Sequence, residues 1–358
     1  MLNRWLVGEV KPTLRQLEVL AKKTYVPLGV LFLPHPPKEE LPISNYRTIG
    51  DGSLTEPSRN LLDTVYMMER RQAWLREYLV DEGYEPKSFV GSVALSDDPA
   101  EVARSIRNTL GLSGDWAESV RTWEEALTKL FRRAEQVGIM VVRNGIVGNT
   151  TSRKLDVMEF RGFVLVDDYA PLVFINGNDY KAAQMFTLAH ELAHIWIGSS
   201  GVFDLAFLQP ADDNVEKMCN KIAAEFLVPT EILQRHAAKD LEHGDYETVF
   251  QDAARRYKVS PLVIARRVLD MGLISRQEYR TYYNGYLGHV RKLEERKRDD
   301  DSGPGFYQSQ RLRVGRLFLS YVVTALREGK LLYREAYNLT GLRGATFSNY
   351  VERELGGI

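Results

Sequence analysis

The sequence predicts an α+β fold: a mostly helical chain with a small β-sheet packed on a pair of helices, and further helical regions at its N- and C-terminal ends. Three observations predict it. Much of the 358-residue chain repeats apolar residues at intervals of three and four, the period of a helix packed on one face. From Gly138 to Asn176 the texture changes to short β-branched or aromatic runs, "GIMVVRNG", "FRGFVLVD" and "PLVFIN", separated by glycine, aspartate and proline, as in a small sheet. Directly afterwards "AAQMFTLAHELAHIWIG" (182–198) is apolar nearly all round, which is the composition of a buried helix.

Apolar residues make up 44% of the chain and charged ones 27%, enough for large cores and for two or three domains. A net charge of −1 argues neither for nor against a polyanionic partner. Cys219 is the only cysteine, so no internal disulfide can form and a reducing compartment is expected. The longest near-apolar run, "VPLGVLFLP", is too short to span a bilayer. The N-terminus lacks the basic-then-apolar order of a secretion signal. The expected location is the cytoplasm, with no membrane partner.

In chain order, Thr13 after Pro12 reads as an N-cap, with Leu14, Leu17, Leu20 and Ala21 at helical spacing behind it. The stretch "PHPPKEELP" reads as an extended linker and closes a first region, 1–45. A helical region, 46–118, holds one long amphipathic helix over 56–83 and a shorter one near 98–111. The domain that follows, 119–290, begins with a helix near 121–137. It continues through the sheet, the histidine helix and a second helix over 214–227 that ends before Pro229. Within it, residues 246–275 form two helices around a tight "KVS" turn, with helix-turn-helix spacing. Arg255, Arg256, Arg266 and Arg267 lie there and read as a solvated face rather than a nucleic-acid surface. The charged run "RKLEERKRDDDSGPG" reads as a helix end entering a linker, and 300–358 is again helical.

The histidine helix carries the chemistry. His190 and His194 are four apart, so both imidazoles lie on one face, one turn apart, where both can reach one metal ion. Met185, Leu188, Ala189, Leu192, Ile195 and Trp196 make an apolar arc, and Thr187, His190, Glu191 and His194 form the only polar stripe. Buried histidines and a buried glutamate need partners. Backbone carbonyls could supply them in a plain core helix; a metal is the sharper expectation. Glu191 is turned aside from the two histidines, and its expected role is the general base that takes a proton from an activated water. Two nitrogens and a carboxylate with one open position suit zinc; manganese and iron stay open.

The next helix supplies the carboxylate. Glu216 and Glu225 are nine residues apart and so on opposite faces. Glu216 shares its face with Cys219, Asn220, Ala223, Phe226 and Leu227, whereas Glu225 shares one with Lys217, Lys221 and Val228 and reads as solvated. A carboxylate on an apolar face is costly unless it is paired or binds a metal. Glu216 is therefore the expected third ligand, with Asn220 as a hydrogen-bonding support for the site. A capping box between Asp213 and Glu216 is the competing explanation. "PLVFIN" is a candidate sheet edge for aligning an extended substrate. Tyr169, Asn176 and Tyr180 lie near it in sequence, and none is singled out to stabilise an oxyanion.

The stretches "EFRGFVLVDDYAPLVFINGNDYKAAQMFTLAHELAHIWIG" and "VEKMCNKIAAEFLVP" resemble the ImmA/IrrE metallo-endopeptidases. The second is similar to the family pattern Glu-x-x-small-Asn-x-apolar-Ala-Ala-x-apolar-Leu-x-Pro. The resemblance implies that His190, His194 and Glu216 bind Zn(2+) and that Glu191 is the catalytic glutamate. It also implies a regulatory protein substrate, such as a helix-turn-helix repressor, cut at one site in stress, prophage or toxin–antitoxin regulation. A non-proteolytic antitoxin that holds a toxin partner is the second reading. A DNA-binding regulator is the third, because "RWLVGEVKPTLRQLEVLAKKT" resembles the tail of an XRE-type helix-turn-helix domain. The helices that would enter the major groove fall upstream of Met1, so DNA is the weaker partner expectation. The C-terminal helices resemble a tail found in many such proteins and suggest no chemistry.

Overall fold

In the computed structural model, which describes residues 2–35, 37, 57–203, 214–241, 246–297 and 306–356, the chain begins with α1 (Leu2–Leu6) and α2 (Leu14–Thr24). Thr13 and Gln16 cap α2 reciprocally, the arrangement that satisfies two amides a helix start otherwise leaves open. The proline-rich linker falls largely outside the described residues. Then come α3 (Arg59–Asp81), α4 (Pro99–Thr109) and α5 (Trp123–Gln136), each started by a side-chain cap from Ser58, Asp98 and Thr122 respectively.

Five strands follow: β1 (Met140–Asn144), β2 (Ile146–Val147), β3 (Thr150–Lys154), β4 (Gly162–Leu165) and β5 (Leu172–Asn176). The histidine helix is α6 (Lys181–Ile197); β6 (Gly201–Phe203) and α7 (Asn214–Leu227) come next. Helices α8 (Thr230–Leu241), α9 (Tyr246–Tyr257), α10 (Pro261–Asp270) and α11 (Arg276–Lys297) complete the central part. The turn between α9 and α10 places Lys258 at φ +56°, and Ser260 caps α10. The C-terminal helices are α12 (Phe306–Val314), α13 (Arg316–Arg327), α14 (Tyr333–Thr340) and α15 (Gly344–Leu355). The fold is α+β, as the sequence predicts.

The main sheet has the order β1–β5–β4–β6, with β1 parallel to β5 and β4 antiparallel to both of its neighbours. This corrects the expectation for "PLVFIN". It forms β5, which lies between β1 and β4 and is an interior strand. The side-chain period of two divides the sheet between two cores. Val141, Val164, Val173 and Ile175 face the core built with α4, α5, α6, α7 and α10. Met140, Val142, Phe163, Leu165, Leu172 and Phe174 face a second core with α3, α13 and α15. Phe163 and Phe174, paired across β4 and β5, stack at 4.9 Å. Helix layers thus cover both faces, which explains why β1, β4 and β5 are buried along their whole length.

Gly162 sets how closely α6 approaches the sheet. A Cβ there would lie 2.6 Å from Thr187 Cγ2 and 2.7 Å from the Phe174 carbonyl oxygen, distances that force backbone or helix to move. We expect Gly162→Ala to lower stability by about 1–3 kcal/mol, the usual cost of overpacking, with chemical denaturation as the readout. An unchanged unfolding midpoint would show that α6 has room to withdraw.

Candidate metal centre

Helix α6 is buried from Gln184 to Trp196, and its C-terminal end is closed by neighbouring backbone. Gly198, at φ +83°, ends the helix and donates to the His194 carbonyl, as left-handed glycine caps do. The preceding carbonyls of Ile195 and Trp196 accept from Gly91 and Val93, and Trp196 stacks on Phe89 at 4.6 Å. The polar stripe therefore has one direction left to face, towards α7.

There the three expected ligands meet. His190 Nε2 and His194 Nε2 are 3.1 Å apart. Each is also 3.2 Å from an oxygen of the Glu216 carboxyl, one from Oε2 and the other from Oε1. The second nitrogen of each ring is already engaged. His194 Nδ1 donates to the Ser199 carbonyl at 2.9 Å, and His190 Nδ1 to Asn220 Oδ1 at 3.0 Å. A carbonyl oxygen can only accept, so in the neutral rings the Nε2 positions carry lone pairs. Two nitrogen lone pairs and two carboxylate oxygens then face one another in a buried space. A proton or a metal cation relieves that confrontation; burial pushes the His190 pKa down, and the Glu216 carboxylate pulls it back up. The donor set thus fits a metal, and Asn220 and Ser199 hold the imidazoles as ligating histidines are commonly held.

Glu191, fully buried, has no hydrogen-bond partner for either carboxylate oxygen among the described residues. Burial pushes its pKa well above the usual carboxylate range, and the Glu216 charge adds to the effect. An orphaned carboxyl beside an electron-rich donor cluster is free to accept or release a proton.

Asp213, needed for the alternative capping box, lies outside the described residues. Cys219 was legible in the sequence only as a small apolar-face residue. Its Sγ lies with the two histidine nitrogens in a group whose atoms are all within 4.8 Å of one another. The signal was available: Cys219 is three residues after Glu216, which places both on one helix face. Asn176 is spent internally, donating to the Phe160 carbonyl and accepting from Asn178 N–H. Tyr169 packs against the core on the far face of the sheet. Tyr180 sits at the start of α6, ten residues before His190 and so about 15 Å along the helix axis.

Two expectations about charge need correction. Glu225 is not solvated: it forms a buried ion pair with Arg267, and its side chain is only 14% exposed. It also accepts from Thr230 N and Thr230 Oγ1 at the start of α8. Arg267 accordingly belongs to the core and not to a solvated face. Arg255, Arg256 and Arg266 do pair on the surface, with Asp252, Glu118 and Asp270.

Among the described residues no helix is long and apolar enough to cross a membrane. No curated protein matches the chain. Residues 314–353 match a domain of unknown function, DUF8813. The segment that contains the sheet, α6 and α7, residues 134–269, matches Peptidase_M78, the IrrE N-terminal-like domain, which supports the ImmA/IrrE family and a peptidase.

Proposed function

We propose that the protein is a zinc-dependent endopeptidase acting on a regulatory protein. The observation that carries this reading is the convergence of His190 Nε2, His194 Nε2 and the Glu216 carboxylate, with the proton positions on both rings committed elsewhere. His190, His194 and Glu216 would hold the zinc, which when bound supplies Lewis acidity to a water and to the scissile carbonyl. Glu191 takes the proton from the attacking water and passes it to the leaving amine. Asn220 keeps His190 in the tautomer that leaves Nε2 to the metal. An extended substrate would align on β6, whose outer edge pairs with no other strand among the described residues. The resemblance to ImmA/IrrE peptidases supports a helix-turn-helix repressor as the substrate class.

Metal analysis tests the ligand set. The purified protein should retain about one zinc per chain through gel filtration, as a three-ligand catalytic site does, and Glu216→Ala should lose most of it. Undiminished zinc in Glu216→Ala would remove this residue from the ligand set. For the activity, the protein encoded by the adjacent gene is the substrate to try. Stable co-purification with that protein uncleaved would favour the partner-holding reading instead.

A further inference from the structure

A cavity of about 590 Å³ lies apart from the candidate metal centre. It lies on the other side of the sheet, between α3, the turn of the β2–β3 hairpin and the C-terminal helices. Five arginines line it against two carboxyl groups, Asp63 and Glu69. Asp63 is shared by Arg59 and Arg153. That leaves Arg70, Arg71 and Arg313, none of which pairs with a carboxylate among the described residues.

Arg71 is the informative one. It is 4% exposed, and its guanidinium is steered by backbone: Nε donates to the Leu339 carbonyl at 2.8 Å and Nη1 to the Arg313 carbonyl at 2.7 Å. Those carbonyls fix its direction without neutralising it. Burial pushes its pKa down to about 10 and Arg70 adds repulsion, yet the group stays charged at neutral pH. A buried cation without a counter-ion is costly. Arg313, on α12, donates to Asn149 Oδ1 at 3.2 Å and brings a third guanidinium to the same space. Guanidinium groups match phosphate oxygens in geometry and charge.

The rest of the lining says what the anion is attached to. Met67, Val147 and Phe174 give an apolar wall, and Asn338 also lines the space. The volume lies within the range typical of small-molecule sites. We infer that this cavity is a binding site for an organic phosphate of nucleotide size, with the phosphate on Arg70, Arg71 and Arg313 and the organic body against the apolar wall. The site joins the long N-terminal helix α3 to the C-terminal unit, and β1 and β5 contribute to it from the face opposite α6. It does not depend on the peptidase reading.

Calorimetric titration of the full chain tests it, using AMP, GMP, CMP, UMP, ribose 5-phosphate and inorganic pyrophosphate as probes and adenosine as the uncharged control. At least one phosphate should bind once per chain and at least tenfold more tightly than adenosine. Arg70→Gln and Arg313→Gln should each weaken that binding about tenfold or more, as expected for loss of a charge-assisted contact. Both residues are suitable because Arg70 is exposed and Arg313 makes one side-chain contact to an amide, so neither change removes the buried Arg71 clamp. No saturable binding of any of these phosphates at millimolar concentration would overturn the inference. So would binding that is unchanged in both variants.

Discussion

Glu191→Gln is expected to keep its zinc and lose about 10²–10⁴ of the peptidase kcat, the range that general acid–base catalysis contributes. The amide has the size and shape of the carboxyl it replaces, so the α6 packing around a fully buried position is preserved. None of the three ligands touches the mutated group through a hydrogen bond, because both Glu191 oxygens lack a partner among the described residues. Metal content should therefore match the wild type, and KM should change little, since the group acts on the water rather than on substrate binding. Stability supplies a separate readout in the metal-free chain. The folded pKa of Glu191 is raised above its ordinary 4.5, so the folded state holds this proton more tightly than the unfolded one. Its contribution is fully present below about pH 4.5 and is lost as pH rises towards the folded pKa. The Gln variant cannot titrate and should lack that part of the decline. Cleavage at the wild-type rate would remove Glu191 from the mechanism, whereas loss of both zinc and cleavage would make its role structural.

The candidate metal centre stands out in the sequence because its residues conflict with their surroundings. A polar stripe on a helix that is otherwise apolar, and a glutamate on an apolar face, each demand a partner, and two unmet demands on neighbouring helices point at each other. The covered sheet was legible in principle as well. "LVFIN" in β5 is buried at every position, and a continuous apolar run marks a strand covered on both faces. That rule places "LVFIN" inside the sheet and not at its edge. The layer on the second face could not be placed, since α3 and α13 meet there from opposite ends of the chain. Local pattern carries no information about such pairings.

The pair formed by Glu225 and Arg267 shows the same limit and yields the second large expected effect. Beside Lys217 and Lys221, Glu225 has the local look of a solvated residue, but its partner comes from α10, 42 residues later. The pair also closes the C-terminal end of α7. Arg267 Nε donates to the Val228 carbonyl at 3.2 Å, and Arg107 Nη1 donates to the Glu225 carbonyl at 2.8 Å. Two cations thus meet the negative end of the helix that carries Glu216 and Asn220. Arg267→Met should cost about 3–5 kcal/mol, because it strands a buried carboxylate. The double variant with Glu225→Met should recover part of that loss, since exchanging a buried ion pair for apolar residues is often close to neutral. A denaturation cycle over the two single variants and the double one measures the coupling. If Arg267→Met costs less than 1 kcal/mol, the pair is solvated in solution and does not hold α7. If it costs the expected amount and zinc affinity falls with it, the clamp is part of what positions Glu216.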